Sequence, residues 1–234
     1  MRRAGVLLHP TALPGPAACG TFGDQAHQWV DRLSEQGIKA WQLLPLAPTD
    51  GLGSPYSSPS GFALNPWFLD GDLLCADGLI QPADLALLPC SADPQQLDRA
   101  VAEPWWQWPA PLARRTRSAL RALDQQEQPA LLQEALLQWQ LDQQWQRLLH
   151  HARQRQVQVI GDLPFYVAHD SADVWSHRHL FSAGRDGRLS EQSGVPPDYF
   201  SATGQLWGTP VYRWPLHRLS RFRWWLRRLD RQLS

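Results

Sequence analysis

Two apolar runs decide the fold: residues 5–9, GVLLH, and residues 40–46, AWQLLPL. Each has the length of a buried strand, and Pro10 ends the first one. Between them, Asp24 predicts the N-cap of a helix and Gly37 predicts its end. A strand, a helix and a second strand within about 45 residues make a βαβ unit, so the two strands are expected to be parallel.

The same patterns continue along the chain. A long amphipathic helix is predicted over 131–155, and the apolar run 157–164 is predicted to be a third buried strand. Two long loops, 47–65 and 165–214, follow the second and third strands, and a last helix follows them. The expected apolar stripes are Leu132, Ala135, Leu136, Trp139, Leu148 and Leu149 on the long helix, and Leu216, Leu219, Phe222, Leu226, Leu229 and Leu233 on the last.

This pattern amounts to about three βα units, whereas a (β/α)8 barrel needs eight. We therefore expect either a small open α/β sheet or the first part of a larger fold. Three consecutive domains are predicted: 1–69 with two βα units, 70–130 as an inserted subdomain of short helices, and 131–234 with the third unit.

The composition excludes several classes of protein. The 234 residues include 22 basic and 22 acidic side chains, and a net charge of zero argues against a general polyanion binder. A hydrophobic fraction of 43% is too high for a disordered chain. No apolar run is long enough for a transmembrane helix. The 13 Trp indicate a large core or, where exposed, flat ligands such as bases or sugars.

The amino terminus and the cysteines indicate a cytoplasmic protein. The start, MRRAGVLLHP, is similar to a signal peptide, but its apolar run is too short for one. Cys19, Cys75 and Cys90 are odd in number and widely spaced, without a C-x-x-C motif. We expect three reduced thiols.

Ligands of parallel α/β folds bind beyond the carboxyl ends of the strands, where the long loops begin. These loops offer aromatic, amide and carboxylate side chains, and the sequence has neither a phosphate-binding glycine motif nor a G-x-S-x-G elbow. Such side chains suit a neutral polyhydroxylated ligand, because a sugar has an apolar face and many hydroxyls.

Two parts of these loops have alternative interpretations. Asp162 follows the third strand and is either a turn or capping residue or a substrate-binding carboxylate. The segment 198–207 is either a packed loop or a lid that stacks on sugar rings.

Two other clusters suggest different functions. His169, Asp173, His177 and His179 could ligate a metal, although Asp170 fits better as the cap of a helix over 171–176. A basic face on the last helix could bind nucleic acid, but a solvated helix face is the preferred interpretation. That face comprises Arg213, Arg218, Arg221, Arg223, Arg227, Arg228 and Arg231.

Four blocks, in order, resemble glycoside hydrolase family 77, the 4-α-glucanotransferases or amylomaltases. They are LLHPTALPGP at 7–16; WQLLPL at 41–46 followed by Ser54-Pro55-Tyr56; GDLP at 161–164 with VAHDSADVW at 167–175; and GVPPDYFS at 194–201, continued by Trp207-Gly208 and Tyr212-Arg213-Trp214.

The resemblance implies a (β/α)8 barrel of the TIM type with inserted subdomains and long substrate loops. It also implies transfer of α-1,4-glucan segments between maltooligosaccharides, with no metal and no other cofactor. The implied mechanism is retaining: an Asp attacks the anomeric carbon, a Glu protonates the leaving oxygen, and a sugar hydroxyl is the acceptor.

The resemblance also assigns substrate-binding residues. Ser54 and Tyr56 would contact the donor sugar, and Asp162 would lie near the cleavage site. A lid over the acceptor side would exclude water and so favour transfer over hydrolysis. Its residues would be Asp198, Tyr199, Phe200, Gln205 and Trp207.

The family's nucleophile lies in an Arg-Ile-Asp-His-type block on the fourth strand, and its acid/base Glu lies later. Neither block occurs in this chain. We therefore expect an amino-terminal portion that binds maltooligosaccharides but is inactive alone, with the missing carboxy-terminal part as a partner if it is a separate chain. Neither nucleic acid nor a membrane is expected as a partner. The alternatives are a glucan-binding remnant without catalysis and, less favoured, a metal-dependent hydrolase.

Overall fold

The computed structural model describes residues 4–14, 19–85 and 103–233, with side chains as far as Arg231. The chain divides into two compact units, each assembled from separate stretches. The first unit comprises Met1–Leu46, Leu64–Arg99 and Leu132–Asp162, and the second comprises Ala47–Ala63, Ala100–Leu131 and Leu163–Ser234. The division into three consecutive domains stays a prediction.

A three-stranded parallel sheet forms the centre of the first unit, in the order β1 (Gly5–Leu7), β2 (Ala40–Gln42) and β3 (Gln158–Ile160). The parallel βαβ unit expected from the first two apolar runs is confirmed. Each strand is only three residues long and so shorter than the predicted run, and Pro10, Pro45 and Pro164 lie three or four residues beyond the strand ends.

The sheet is buried on one face only. The row of Val6, Trp41 and Val159 packs into the core of the first unit. Two positions on the opposite face, Leu7 and Ile160, are 55% and 41% exposed. The prediction of fully buried strands is therefore wrong for β1 and β3, because alternate side chains of a strand point to opposite faces.

Helix α1 (Asp24–Glu35) connects the first two strands. Its N-cap is Gly23 and not Asp24, which is the first helical residue. A Cβ at Gly23 would collide with the Asp70 carboxylate, which Thr21 and the Leu73 amide hold in place, so any other residue at this position would force that carboxylate to move. The predicted end is confirmed: Gly37 adopts a φ of 72°, and the Ile38 amide donates to the Leu33 carbonyl at 2.9 Å.

The remaining helices were expected to be short, apart from the long helix and the last one. In the described parts of the region 70–130, 70–85 and 103–130, they are α2 (Gly71–Ala76), α3 (Pro82–Leu85), α4 (Ala110–Ala113) and α5 (Arg117–Gln126). Helix α6 (Gln128–Gln154) confirms the long helix. Single 3-10 turns occur at Pro10–Ala12, Pro55–Ser57, Pro66–Phe68 and Arg178–Leu180.

Among the described residues, none of the helices is long and apolar enough to cross a membrane.

The apolar stripe predicted for α6 is wrong in its first half. Leu132, Leu136 and Trp139 are exposed. The residues of α6 that are buried lie on a different face of the helix. The buried positions are Leu141, Gln144, Leu148 and Ala152, which recur at intervals of three or four residues.

Two glutamines of α6 hold the segment 64–70 by its backbone. The Gln138 side-chain amide accepts from the Leu64 amide and donates to the Leu64 carbonyl, both at 2.9 Å. Gln144 makes the same pair of bonds with Asp70, at 2.8 and 2.9 Å, and is almost fully buried. Neither glutamine belongs to the apolar stripe that the sequence predicts for this helix.

The second unit contains helix α7 (Ala172–His177) and an antiparallel pair, β4 (Gln192–Val195) and β5 (Gln205–Pro210). The stretch 165–214 was expected to be a long loop with a short helix over 171–176. Helix α7 confirms that helix. The strands β4 and β5 were not predicted, because strands of four to six residues leave too little periodicity to be recognised. An aromatic core packs this unit, with Trp105, Phe181 and Trp224 among its buried residues.

The last predicted helix is two helices, α8 (Trp214–Leu219) and α9 (Arg223–Leu233). Arg221 and Phe222 between them have φ values of 52° and 56°, and this left-handed pair interrupts the helix. The predicted leucine stripe is wrong as well. Its members Leu219, Phe222, Leu226 and Leu229 are exposed, whereas Trp224 and Arg228 are buried. Leu233 lies outside the side chains that the structure describes.

We expect Gln144→Leu to lower the free energy of unfolding by about 2–4 kcal/mol, because two buried backbone groups of Asp70 would lose their partners. Urea denaturation measures the change. Gln133→Leu, at an exposed position of the same helix, is the matched control and should stay within about 0.5 kcal/mol of the wild type. Equal stability of Gln144→Leu and the control would contradict this role.

Candidate functional site

A buried arginine organises the second unit. Arg228 of α9 is 1% exposed, and its guanidinium lies over the rings of Trp224 and Trp225, at 5.4 and 5.6 Å from their centroids. Its Nε and Nη1 have no hydrogen-bond partner within the described part of the chain. The prediction of a solvated arginine face is therefore wrong for Arg228.

Asp173 and Gly61 lie next to this guanidinium. The Gly61 amide donates to the Asp173 carboxylate at 2.8 Å, and a Cβ on Gly61 would lie 3.2 Å from Nε of Arg228. Burial raises the pKa of Asp173, while the Gly61 hydrogen bond and the charge of Arg228 act in the opposite direction. Glycine at position 61 thus lets the backbone approach both charged groups.

Tyr212 connects the arginine to the segment that follows Asp162. Its hydroxyl donates to the Phe165 carbonyl and is also hydrogen-bonded to Arg228. Burial raises the pKa of Tyr212, so the phenol stays neutral. Phe165 and Tyr166 are thereby held near the surface of the unit.

A small cavity beside Arg228 has a volume of about 10 Å³. Its wall includes Tyr56, Ser58, Tyr166 and Val167. That volume admits about one water molecule and no sugar ring. Any glucan contact of Tyr56 and Tyr166 therefore involves their exposed parts.

Aromatic side chains form a continuous row on the second unit, which we call the aromatic strip. Tyr166 contacts Trp207 with ring centroids 5.9 Å apart, and stacks on Tyr212 at 6.5 Å. Phe165 lies 5.6 Å from Tyr212 and 6.3 Å from Trp214. Phe165, Trp207 and Trp214 are each about half exposed. Such rings can stack on the apolar faces of sugars.

The predicted residues Ser54 and Asp198 stabilise turns. The Ser54 hydroxyl accepts from the Tyr56 amide at 3.3 Å and caps the turn Pro55–Ser57. The Asp198 carboxylate accepts from the amides of Phe200 and Ser201, at 2.9 and 2.8 Å. Both side chains therefore have a structural role, which leaves lone pairs available for other hydrogen bonds.

Of the other predicted site residues, the structure brings some into contact with the aromatic strip and leaves others apart from it. Tyr56 shares the small cavity with Tyr166, and the Trp207 indole, next to Tyr166, donates to Gln205 at 3.1 Å. Tyr199 and Phe200 contact each other, and they are 98% and 89% exposed. Asp162 belongs to the first unit, two residues beyond β3, and is half-buried.

The residues of the metal hypothesis do not assemble into a site. Within the described ranges no three His, Cys, Asp or Glu side chains come together as metal ligands. His169 stacks on Trp106, and the rings of His177 and His179 are 6.5 Å apart. The four residues named for the metal hypothesis therefore do not form one common set of ligands.

The cap predicted for the helix after His169 needs correction. Ser171 is the N-cap of α7, because its hydroxyl accepts from the Val174 amide. The Asp170 carboxylate instead accepts from the Trp105 amide at 3.1 Å. A serine and an aspartate are equally good caps, so the sequence alone does not separate them.

Sequence reasoning missed Arg228, Phe165, Tyr166 and Trp214 as residues of this site. Phe165 and Tyr166 had a usable signal, because they follow the third apolar run directly. Arg228 had none, since it is one of many arginines near the end of the chain. Cys19 and Cys75 are free thiols, and Cys90 lies outside the described residues.

The raised pKa of Asp173 gives a prediction for stability against pH. A folded-state pKa above the ordinary 3.8 means that Asp173 stabilises the fold most at low pH, and that this contribution is lost as pH rises through the folded-state pKa. Asp173→Asn keeps an acceptor for the Gly61 amide but does not titrate. We expect its unfolding free energy, relative to wild type, to increase as the pH is raised from about 4 to 7 in urea denaturation. Asp186→Asn, at an exposed position, is the control. If the difference in unfolding free energy between Asp173→Asn and the wild type did not change with pH, the prediction would be contradicted.

Comparison with known proteins shows similarity along nearly the whole chain. The family model described as 4-α-glucanotransferase, of glycoside hydrolase family 77, matches residues 8–101 and 95–234. The 4-α-glucanotransferase of Synechocystis sp. is 34% identical, and the alignment covers 100% of this chain and 57% of that relative. The 4-α-glucanotransferase of Thermus thermophilus is 35% identical, with 100% and 56% covered.

A solved structure agrees with the sequence relatives. Amylomaltase from Streptococcus agalactiae, in complex with acarbose, superposes with a TM-score of 0.89 at 32% identity, covering 98% of this chain and 57% of that one. The chain thus spans a little over half the length of the relatives it matches. It belongs to the 4-α-glucanotransferase family, glycoside hydrolase family 77.

Proposed function

We propose that this chain provides the glucan-binding part of a 4-α-glucanotransferase, which transfers α-1,4-glucan segments between maltooligosaccharides. The aromatic strip is the observation that carries the proposal, because exposed rings with the Gln205 amide beside Trp207 suit a chain of sugar rings. Family membership supports it, as does the acarbose bound to the amylomaltase of Streptococcus agalactiae.

In this proposal Tyr56, Tyr166 and Trp207 stack on glucose rings. Ser54, Asp198 and Gln205 accept hydrogen bonds from sugar hydroxyls with the lone pairs that their turn contacts leave over. Asp162 binds the sugar near the cleaved bond. In these assignments the apolar faces of the sugar rings are bound by stacking, and their hydroxyls by directional hydrogen bonds.

Tyr199 and Phe200 are proposed to cover the acceptor side when a glucan is bound. Their rings are almost fully exposed, so they have apolar area left to bury against a ligand. Covering the acceptor side would exclude water, and a sugar hydroxyl would then compete better as the nucleophile of the second step.

The proposed chemistry is a double displacement with retention. An aspartate attacks the anomeric carbon and forms a glycosyl ester while a glutamic acid protonates the leaving oxygen; the acceptor hydroxyl then displaces the ester as the glutamate takes its proton. We assign both carboxylates to the part of the relatives that this chain does not span. The exposed sheet face at Leu7 and Ile160 supports completion of a (β/α)8 barrel by that part.

The proposal includes a cytoplasmic location. Free Cys19 and Cys75 support it, because thiols persist in a reducing compartment.

We expect maltoheptaose to bind this chain, and Trp207→Ala to weaken binding about fivefold to tenfold through the loss of one stacking contact. Isothermal titration calorimetry measures the affinity, with a β-1,4-linked glucan as the ligand control. Trp139→Ala removes an equally exposed indole of α6 and should bind as the wild type does. Equal loss in both variants, or no heat with the wild type, would count against the aromatic strip.

We expect no glucose release from maltotriose by the 234-residue chain alone, because the proposal places the nucleophile and the acid/base elsewhere. Addition of a second polypeptide, the part of the Thermus thermophilus relative that this chain does not span, should give activity. That polypeptide alone is the control. Turnover by the 234-residue chain alone would show that the catalytic carboxylates lie within it.

A further inference from the structure

A second and larger cavity in the second unit is lined by cations. Its volume is about 570 Å³, within the range of small-molecule sites. No carboxylate lies among the described residues of its wall. The basic lining residues are the arginines Arg114, Arg115, Arg178, Arg185 and Arg213, together with His179. We call it the cationic cavity.

Two of these arginines are fixed by contacts that leave their charge unbalanced. The Arg115 guanidinium donates to the Ser176 carbonyl and lies 5.2 Å over the Trp175 ring. Arg178 donates to the Ala113 carbonyl at 3.3 Å and lies 5.4 Å from the centroid of Trp105. Carbonyls and rings orient a guanidinium without neutralising it.

The backbone beside this wall is strained. Arg115 follows α4 by two residues and has a φ of 57°, a conformation that a long L side chain adopts at a cost. Arg114 and Arg115 are thereby presented side by side at the end of α4. Arg213 comes from a different element, as the residue before α8.

No ion pair in the described part of the chain balances these five arginines. The ion pairs there involve Arg147, His151, Arg155 and Arg188 as the cations. The carboxylate nearest in sequence, Asp186, accepts from the Arg188 amide at 3.1 Å and faces the Arg188 guanidinium at 3.8 Å. Burial lowers the pKa of Arg178, and the charges of Arg185, Arg115 and Arg114 lower it further.

Like charges gathered around one cavity destabilise the fold, and an anion relieves that repulsion. We propose that the cationic cavity binds a phosphate group carried by a sugar, either a free sugar phosphate or a phosphate-bearing glucan. Guanidinium groups that converge from several elements match the several oxygens of a phosphate and its double charge. The proposal does not depend on the glucan site of the aromatic strip, which binds neutral sugar.

Calorimetry with inorganic phosphate, glucose 6-phosphate and phosphorylated maltoheptaose tests this site. In the triple variant Arg114→Gln, Arg185→Gln, Arg213→Gln we expect the affinity for phosphate compounds to fall at least about tenfold, because charged hydrogen bonds are lost. A control triple, Arg121→Gln, Arg153→Gln, Arg218→Gln, changes the net charge equally at exposed positions and should keep the affinity.

The three probes separate the two sources of phosphate. Tighter binding of glucose 6-phosphate supports a free sugar phosphate, and tighter binding of phosphorylated maltoheptaose supports a glucan. Unphosphorylated maltoheptaose should bind both triple variants as it binds the wild type. A failure of the phosphate site can therefore be distinguished from a failure of the proposed glucan site. Two results would overturn the site. One is an equal loss of affinity for the phosphate compounds in both triple variants, with unchanged melting temperatures. The other is the absence of heat with every phosphate probe.

Discussion

The burial of one charge, the guanidinium of Arg228, is the constraint on which the second unit depends. Removing a cation from water is expensive unless polar groups and rings surround it, and here Trp224, Trp225, Asp173 and Tyr212 do so. Trp224 and Trp225 lie on the same helix as Arg228, whereas Asp173 belongs to α7 and Tyr212 lies just before α8. These three segments must therefore fold together around a single side chain.

That constraint reaches the candidate glucan site through two backbone contacts. Asp173 fixes the amide of Gly61, in the loop that also carries Tyr56, and Tyr212 fixes the carbonyl of Phe165, next to Tyr166. The aromatic strip is therefore held in place by groups that surround a buried charge. A surface for flexible sugar chains gains from such support, because rings held in place lose little entropy when a ligand stacks on them.

The net charge of the chain is zero, but its charged side chains are unevenly distributed over the second unit. Positive groups concentrate around the cationic cavity, while the aromatic strip presents rings together with neutral or hydrogen-bonded polar groups. The second unit thus has two surfaces of different chemistry, one suited to neutral sugar and one to an anion. A net charge of zero excludes a general polyanion binder, but it does not exclude a local anion site.

The sequence by itself determined the elements: the parallel βαβ unit, the glycine end of α1, the long helix α6 and the blocks shared with the 4-α-glucanotransferases. Those features follow from short-range periodicity and from backbone preferences that neighbouring residues decide. Tertiary structure alone decided which helix faces are buried, because Gln144 binds Asp70 and Asp173 binds Gly61 across long stretches of chain. Local pattern cannot show whether a polar side chain has a buried partner, and so Arg228 and the cationic cavity became visible only in the folded chain.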